Sequence, residues 1–369
     1  MKIERIRTYL IGPSESPEGW GGVKAFLFVR IDGEDGTEGW GEAYVLAGRE
    51  TAVAQMVLAL GRELIGRPAS PRSFRAAAVQ GFADKRMGID FYCALSALEL
   101  ALWDLEGKRL GAPVHRLLGG ALRERVPLYA NIWSDRAPSL DGLLERGRQM
   151  TAAGFRALKI YPLAFPSLAE AEACVAAFRK EFGAELDLMI DLNALDDPYL
   201  AIQAGRRFAP YDPFWFEEPV TSDDPETLHH VGSEVGLRLV TGERHGGKYK
   251  FRELLERRAA DVLNPDIAGC GGILEFLEIA ALAESFSVQV TPHNYNTLTL
   301  GMAAMLQVSA LVPNLLTAEY YPAFQPFSDR LAEVDWEITE GQATLPQSPG
   351  LGVAMKTEAL EALAVCETV

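Results

Sequence analysis

The chain has 369 residues, 48% hydrophobic and 23% charged, which suits a globular protein long enough for more than one domain. Its formal net charge of −16 argues against nucleic acid and anionic membrane surfaces as partners, although a local metal can still attract an anionic small molecule. No apolar run reaches membrane-spanning length, MKIERIRTYLIG lacks the apolar segment of a signal peptide, and Cys93, Cys174, Cys270 and Cys366 are too scattered for zinc. The expectation is a cytoplasmic protein with reduced thiols.

Residues 1–45 alternate in strand fashion: IERIRTYLI, then AFLFVRI, a turn at DGEDG, and GWGEAYV. From about 50 to 120 the period turns helical. FYCALSALELALWDLEGKRLG is apolar all round and predicts a buried helix, stopped by Gly111 and Pro113. From residue 126 short apolar runs alternate with amphipathic stretches: VPLYAN, ALKIYP, LDLMIDLN, PFWFEEP, LRLVTGE, ADVLNPDIA, VQVTPHN and LLTAEYY. Such repeated βα units make a parallel sheet, most economically closed as a TIM-type barrel. A doubly wound open sheet is the alternative, but Gly269-Cys270-Gly271-Gly272 lacks the spacing of a nucleotide fingerprint. After about 325 the chain reads as irregular and strand-like, a tail that returns to the first domain.

The polar residues fall in phase with this repeat. Asp191, Glu217, Glu243, Asp266, His293 and Glu319 each end an apolar run, at steps of 26, 26, 23, 27 and 26 residues. In a parallel barrel these ends open on one face, where active sites lie. Asp191, Glu217 and Glu243 bring three carboxylates together, whose repulsion a hard divalent cation relieves; Mg²⁺ suits an all-oxygen set better than zinc does. Asp266 behind His293 makes an acid/base near neutral pH. Glu319 is placed to exchange a proton with a substrate oxygen, or to be salt-bridged to a basic neighbour. Lys159 closes the second run, with Tyr161 on the same side two residues on. Lys159 is a candidate substrate anchor, a base if its pKa is lowered, or a counter-ion to the carboxylates, and Tyr161 is a candidate to hydrogen-bond substrate or act as a weak acid.

Taken together with GWGEAY, SALELALWDLEGKRLGAPVHRLLGG, DLN, WFEEP, TGE, NPD and TPHN, these residues resemble the enolase superfamily and, within it, the mandelate racemase subgroup, over nearly the whole chain. The resemblance implies an α/β fold: a modified TIM barrel, (β/α)₇β, at 126–325, with an α+β capping domain built from 1–125 and the tail 326–369. It implies Asp191, Glu217 and Glu243 as Mg²⁺ ligands, with Asn193 beside the metal. The implied acid/base dyad is His293 with Asp266, and Glu319 faces the substrate carboxylate. It also implies a homo-oligomer. One position departs: the subgroup commonly has Lys-x-Lys on the second strand, and here the pair is Lys159-Ile160-Tyr161. A two-base racemase is thereby disfavoured, since a Tyr has a pKa of about 10.

The expected reaction is dehydration of a sugar acid, an aldonate or aldarate, to a 2-keto-3-deoxy acid. The alternatives are a racemase, epimerase or cycloisomerase on the same scaffold, or a non-catalytic barrel that binds an acidic small molecule. Arg244 and His245 are candidates to supply an acid or substrate contacts, His245 being otherwise simply a loop histidine. Specificity is expected from loops at 12–24 and 43–50, with Trp20, Lys24 and Tyr44 as contacts, and from Trp133 and Asp135.

Overall fold

The computed structural model describes residues 1–12, 24–46, 48–133 and 139–369. The N-terminal alternation makes β1 (Ile3–Ile11), β2 (Phe26–Gly33) and β3 (Glu38–Ala43), an antiparallel meander. DGEDG forms the β2–β3 turn, closed by a bond from Gly33 N–H to the Thr37 carbonyl at 2.8 Å. Then follow α1 (Glu50–Arg62), α2 (Pro71–Ala77) and α3 (Ile89–Leu110). α3 ends where Gly111 takes a left-handed φ of 65°. It lies directly on β3 because Gly39 and Gly41 have no side chain: a Cβ at Gly41 would collide with the Ala97 carbonyl. Its other side packs on the barrel, which accounts for apolar residues all round.

After the short α4 (Val114–Leu117), eight strands form a ring. They are β4 (Arg125–Asn131), β5 (Ala157–Ile160), β6 (Asp187–Asp191), β7 (Trp215–Glu217), β8 (Leu239–Thr241), β9 (Val262–Leu263), β10 (Gln289–Val290) and β11 (Ala318–Tyr320). β4 to β10 pair in parallel and in chain order. Val290 bridges to Leu315, and β11 pairs with β4, closing the barrel. Seven helices alternate with the strands: α5 (Leu140–Ala152), α6 (Leu168–Phe182), α7 (Pro198–Phe208), α8 (Pro225–Val235), α9 (Lys248–Glu256), α10 (Ile273–Ser285) and α11 (Thr299–Ser309). That is the (β/α)₇β arrangement.

The tail differs from its sequence reading. Residues expected to be irregular begin with α12 (Gln325–Leu331), which tolerates Pro326 because a proline in the first turn forfeits no helical bond. β12 (Ala332–Val334) pairs with β15 (Val353–Met355), and β13 (Ile338–Thr339) with β14 (Gln342–Thr344). β14 joins the outer end of β4 antiparallel. Only after α13 (Thr357–Glu361) does β16 (Val365–Thr368) reach the N-terminal sheet, pairing with β1. Among the described residues no helix is long and apolar enough to cross a membrane.

Candidate active site

Strand alternation builds the site in layers. Tyr129, Ala157, Met189, Trp215, Val240 and Val262 form one apolar cluster inside the barrel. Side chains two residues further along point the same way, so the layer above reads Asn131, Lys159, Asp191, Glu217, Gly242 and Asn264. An apolar plug thus carries a ring of polar groups.

Lys159 sits in the middle of that ring. Its Nζ lies 2.7 Å from Glu217, 2.8 Å from Glu319 and 3.5 Å from Asp191. Burial alone would lower its pKa, but Glu217 and Glu319 outweigh this and hold it well above the usual lysine value. Lys159 is therefore an ammonium counter-ion in this state, not a base. Burial also raises the Asp191 and Glu217 carboxyls, against the pull of Lys159. Glu217 is steadied further by Asn264 Nδ2 at 3.0 Å and Trp215 Nε1 at 3.0 Å. Asn264 also accepts from the Glu243 N–H at 3.1 Å, coupling two of the three carboxylates.

Asp191, Glu217 and Glu243 each offer an oxygen within 4.8 Å of the others. These donors suit a hard divalent cation: three carboxylates, no nitrogen or sulfur, and an open side toward a cavity. The set is over-supplied with negative charge that Lys159 only partly offsets.

His293 stands beside this cluster. Its Nδ1 is 2.7 Å from Asp266 Oδ2, while Nε2 lies 3.2 Å from Glu243 and 3.5 Å from Glu319. Burial would lower the imidazole pKa, but Glu319, Glu243 and Asp266 outweigh it and push the value up to about 10. Neutralising Glu243 removes part of that push and brings His293 toward the range of a useful base. Asp266 is itself held by the Ala268 N–H at 2.8 Å. Burial opposes charge on Glu319, yet Lys159 and His293 hold its carboxyl down at about 2. It accepts from Lys159, from Asn131 Nδ2 at 2.9 Å and from the Asn294 N–H at 2.9 Å. In this state it is a salt-bridged carboxylate with no proton to give.

A cavity of about 590 Å³ opens above these groups, lined in part by Lys24, Tyr44, Trp133, Asn193, Arg244 and His293. Asn193 Oδ1 accepts from Arg244 Nη2 at 2.6 Å. Lys24 Nζ lies over the Tyr295 ring, 3.9 Å from its centroid. Tyr161 packs on Trp133 with ring centroids 4.4 Å apart, and burial together with Asp191 raises its phenol pKa. His245 corrects an expectation. It is buried away from the cavity, with Nε2 on the Ser222 carbonyl at 3.1 Å and its ring against Phe251. Trp20 and Asp135 lie outside the described residues.

Several residues were missed. Asn131 and Asn264 end β4 and follow β9 in the same phase as the acids, so the repeat could have flagged them. Arg49 and Asp223 line the cavity from loops with no periodic signal. Glu218 follows Glu217 but takes a left-handed φ of 41°, which turns it off the strand alternation. It is buried, accepts from Thr241 Oγ1 at 2.6 Å and the Gly242 N–H at 3.0 Å, and lies 3.4 Å from Arg244.

Residues 19–119 match the family model for the mandelate racemase/muconate lactonizing enzyme N-terminal domain, and residues 142–359 the one described as enolase C-terminal domain-like. The chain is 31% identical to a D-gluconate dehydratase of Thermoproteus tenax, covering 97% of this chain and 73% of the relative. It is 32% identical to a D-galactarolactone cycloisomerase of Agrobacterium fabrum, with 98% of each covered. Among solved structures, it superposes on an enolase from environmental shotgun sequencing of the Sargasso Sea with a TM-score of 0.94, at 32% identity over 100% of this chain and 98% of the other.

Proposed function

Because the chain belongs to the mandelate racemase/muconate lactonizing enzyme family of the enolase superfamily, we propose that it is a sugar-acid dehydratase. It takes the proton α to the carboxylate of an aldonate or aldarate and expels the β-hydroxyl, leaving a 2-keto-3-deoxy acid. The observation that carries this reading is one imidazole at the cavity, His293, backed by Asp266 at 2.7 Å and flanked by the carboxylate triad. Asp191, Glu217 and Glu243 are the residues that would hold Mg²⁺, which when bound supplies positive charge for the carboxylate oxygens as the α-proton leaves.

The residues divide the work. His293 Nε2 accepts the α-proton, and Asp266 fixes the tautomer and supports the imidazolium that results. The C–H electrons form the carbon–carbon double bond as the C–O bond breaks. The proton on His293 leaves with the hydroxide as water, and the enol tautomerises to the keto acid. Lys159 balances the charge beneath the substrate. Arg244, Asn193, Lys24 and Tyr44 contact its far end.

Elimination needs one base, whereas racemisation needs one on each face. Lys159 is engaged by Glu217 at 2.7 Å and Glu319 at 2.8 Å, and Tyr161 is packed on Trp133, so His293 is the base this geometry favours. Cycloisomerisation is the second reading, favoured by the relative of that name that matches end to end.

A screen of aldonates, aldarates and their lactones with Mg²⁺, followed by a keto-acid assay in D₂O, tests this. A keto acid from an open-chain acid is expected. Deuterium wash-in with inversion and no keto acid would replace the dehydratase by a racemase, and turnover of lactones alone by a cycloisomerase. His293→Asn should lower kcat about 10²–10⁴-fold with Mg²⁺ affinity retained. Survival of full activity would remove His293 from the mechanism.

A further inference from the structure

Helix N-termini leave bare N–H groups that something must satisfy. In the barrel, α5 to α8 supply their own caps. Ser139 accepts from Gly142, Ser167 from Glu170, Asp197 from Tyr199 and Leu200, and Asp224 from Thr227. The next three helices begin at Gly247, Gly272 and Leu298, whose side chains cannot do this. For α9 the acceptor is Glu275 of the neighbouring helix, 2.7 Å from the Lys248 N–H.

For α10 and α11 it comes from the N-terminal sheet and its helix. Glu99 on α3 accepts from the N–H groups of Ile273 at 2.8 Å and Leu274 at 3.1 Å. Glu42 on β3 accepts from Leu298 at 2.7 Å and Gly301 at 3.0 Å. Both glutamates are fully buried. Gly272 makes room for one of them: it has a φ of 88°, and a Cβ there would collide with the Glu99 carboxylate. This gives the Gly269–Gly272 run a purpose unrelated to nucleotides.

The two helices capped this way are those that follow Asp266 and His293. The loop from Asp266 to α10 is held on the same side by Ser96 Oγ, which accepts from Gly271 at 2.9 Å, and by the Tyr44 N–H on the Ala268 carbonyl at 3.0 Å. The loop from His293 to α11 is held by the Asn296 side chain on the Val45 carbonyl. Residues 42–45 and 96–99 therefore grip both loops that carry the acid/base pair.

We propose that Glu42 and Glu99 are positioning residues for the acid/base dyad. By capping α11 and α10 from the N-terminal layer, they set the distance and angle at which His293 and Asp266 meet the cavity. The proposal rests on the reading of His293 and Asp266 as that dyad. Glu42→Gln and Glu99→Gln keep size and lose one acceptor each, so the fold is retained while the loops shift. In the Mg²⁺-loaded enzyme kcat is expected to fall about 10- to 100-fold, because misplacement by a fraction of an ångström is costly in proton transfer. KM and Mg²⁺ affinity should stay at wild-type values, and the downfield proton resonance of His293 Nδ1–H should move.

Asp224→Ala removes a self-supplied cap and serves as control, expected to lose stability with kcat and the resonance unchanged. Should a Gln variant fail to fold, Glu42→Asp keeps both acceptor oxygens but shortens their reach, and the same kcat loss is expected. Wild-type kcat and resonance in the glutamate variants, or losses no larger than those of Asp224→Ala at equal loss of stability, would overturn the proposal. His293→Asn separates the two levels. If it is inactive while the glutamate variants are normal, positioning fails alone; if it stays active, the reading of the dyad itself has failed.

Discussion

The side of the barrel that gathers Lys159, Asp191 and Glu217 and the side that carries Asp266 and His293 share one ring of strands but are held in different ways. On the first side everything is local. The helices after β4 to β7 cap themselves within three residues, and the charges are balanced inside the barrel by Lys159, with Asn264 donating to Glu217 and Asn131 to Glu319. On the second side the helices borrow carboxylates about 175 to 260 residues away in sequence, from the layer that covers the barrel mouth. The carboxylate cluster is thus self-contained, whereas the Asp266–His293 pair is tied to the layer whose Lys24 and Tyr44 line the cavity. On the proposed reading of the dyad, that tie is the means by which the covering layer positions His293 and Asp266.

The largest effect is expected at Lys159, the internal counter-charge of the carboxylates. Lys159→Met leaves Asp191, Glu217 and Glu319 buried without their cation, and removal of one partner of a buried ion pair costs about 3–5 kcal/mol. Urea unfolding without divalent ions should show that loss, with part of it recovered when Mg²⁺ is added. A variant as stable as wild type would mean that the carboxylates are protonated in the resting protein, not balanced.

How much of this could be read from residues alone follows the same division. Asp191, Glu217, Glu243, Asp266, His293 and Glu319 announce themselves because each βα unit is of nearly equal length, so function repeats with the fold. Ser167 and Asp224 at helix starts are legible for the same local reason. Glu42 and Glu99 are not: each lies in a strand or helix that reads as core, and its partners are N–H groups that no side-chain pattern reveals. Glu218 is hidden by its left-handed backbone, and His245 misleads because it follows Glu243 directly yet turns toward Phe251. α12 is hidden by Pro326, which looks like a breaker and in fact sits in its first turn.

A smaller effect sharpens the second side. Burial, against the pull of the helix N–H groups, raises Glu42 to about 8 and Glu99 to about 7 from the ordinary carboxyl value of 4.5. Between pH 4.5 and 8 the folded state then binds more protons than the unfolded one, so stability is full below that window and declines as pH rises through it. The urea midpoint should fall from pH 5 to pH 8, and less steeply in Glu42→Gln. Parallel curves for the two proteins would show that Glu42 is ionised throughout.

The smallest effect belongs to the self-capped side. Ser167→Ala removes the acceptor for the Glu170 N–H, 3.2 Å away, at an exposed helix start. Water can replace that bond in part, so the loss should be about 1 kcal/mol, typical of a Ser cap. The loop behind it leads to Lys159, whose position is set by Glu217 and Glu319 and not by α6. Activity should therefore stay at the wild-type level while the urea midpoint drops. A fall in kcat here would mean that self-supplied caps also reach the chemistry, and the distinction between the two sides of the barrel would be one of degree.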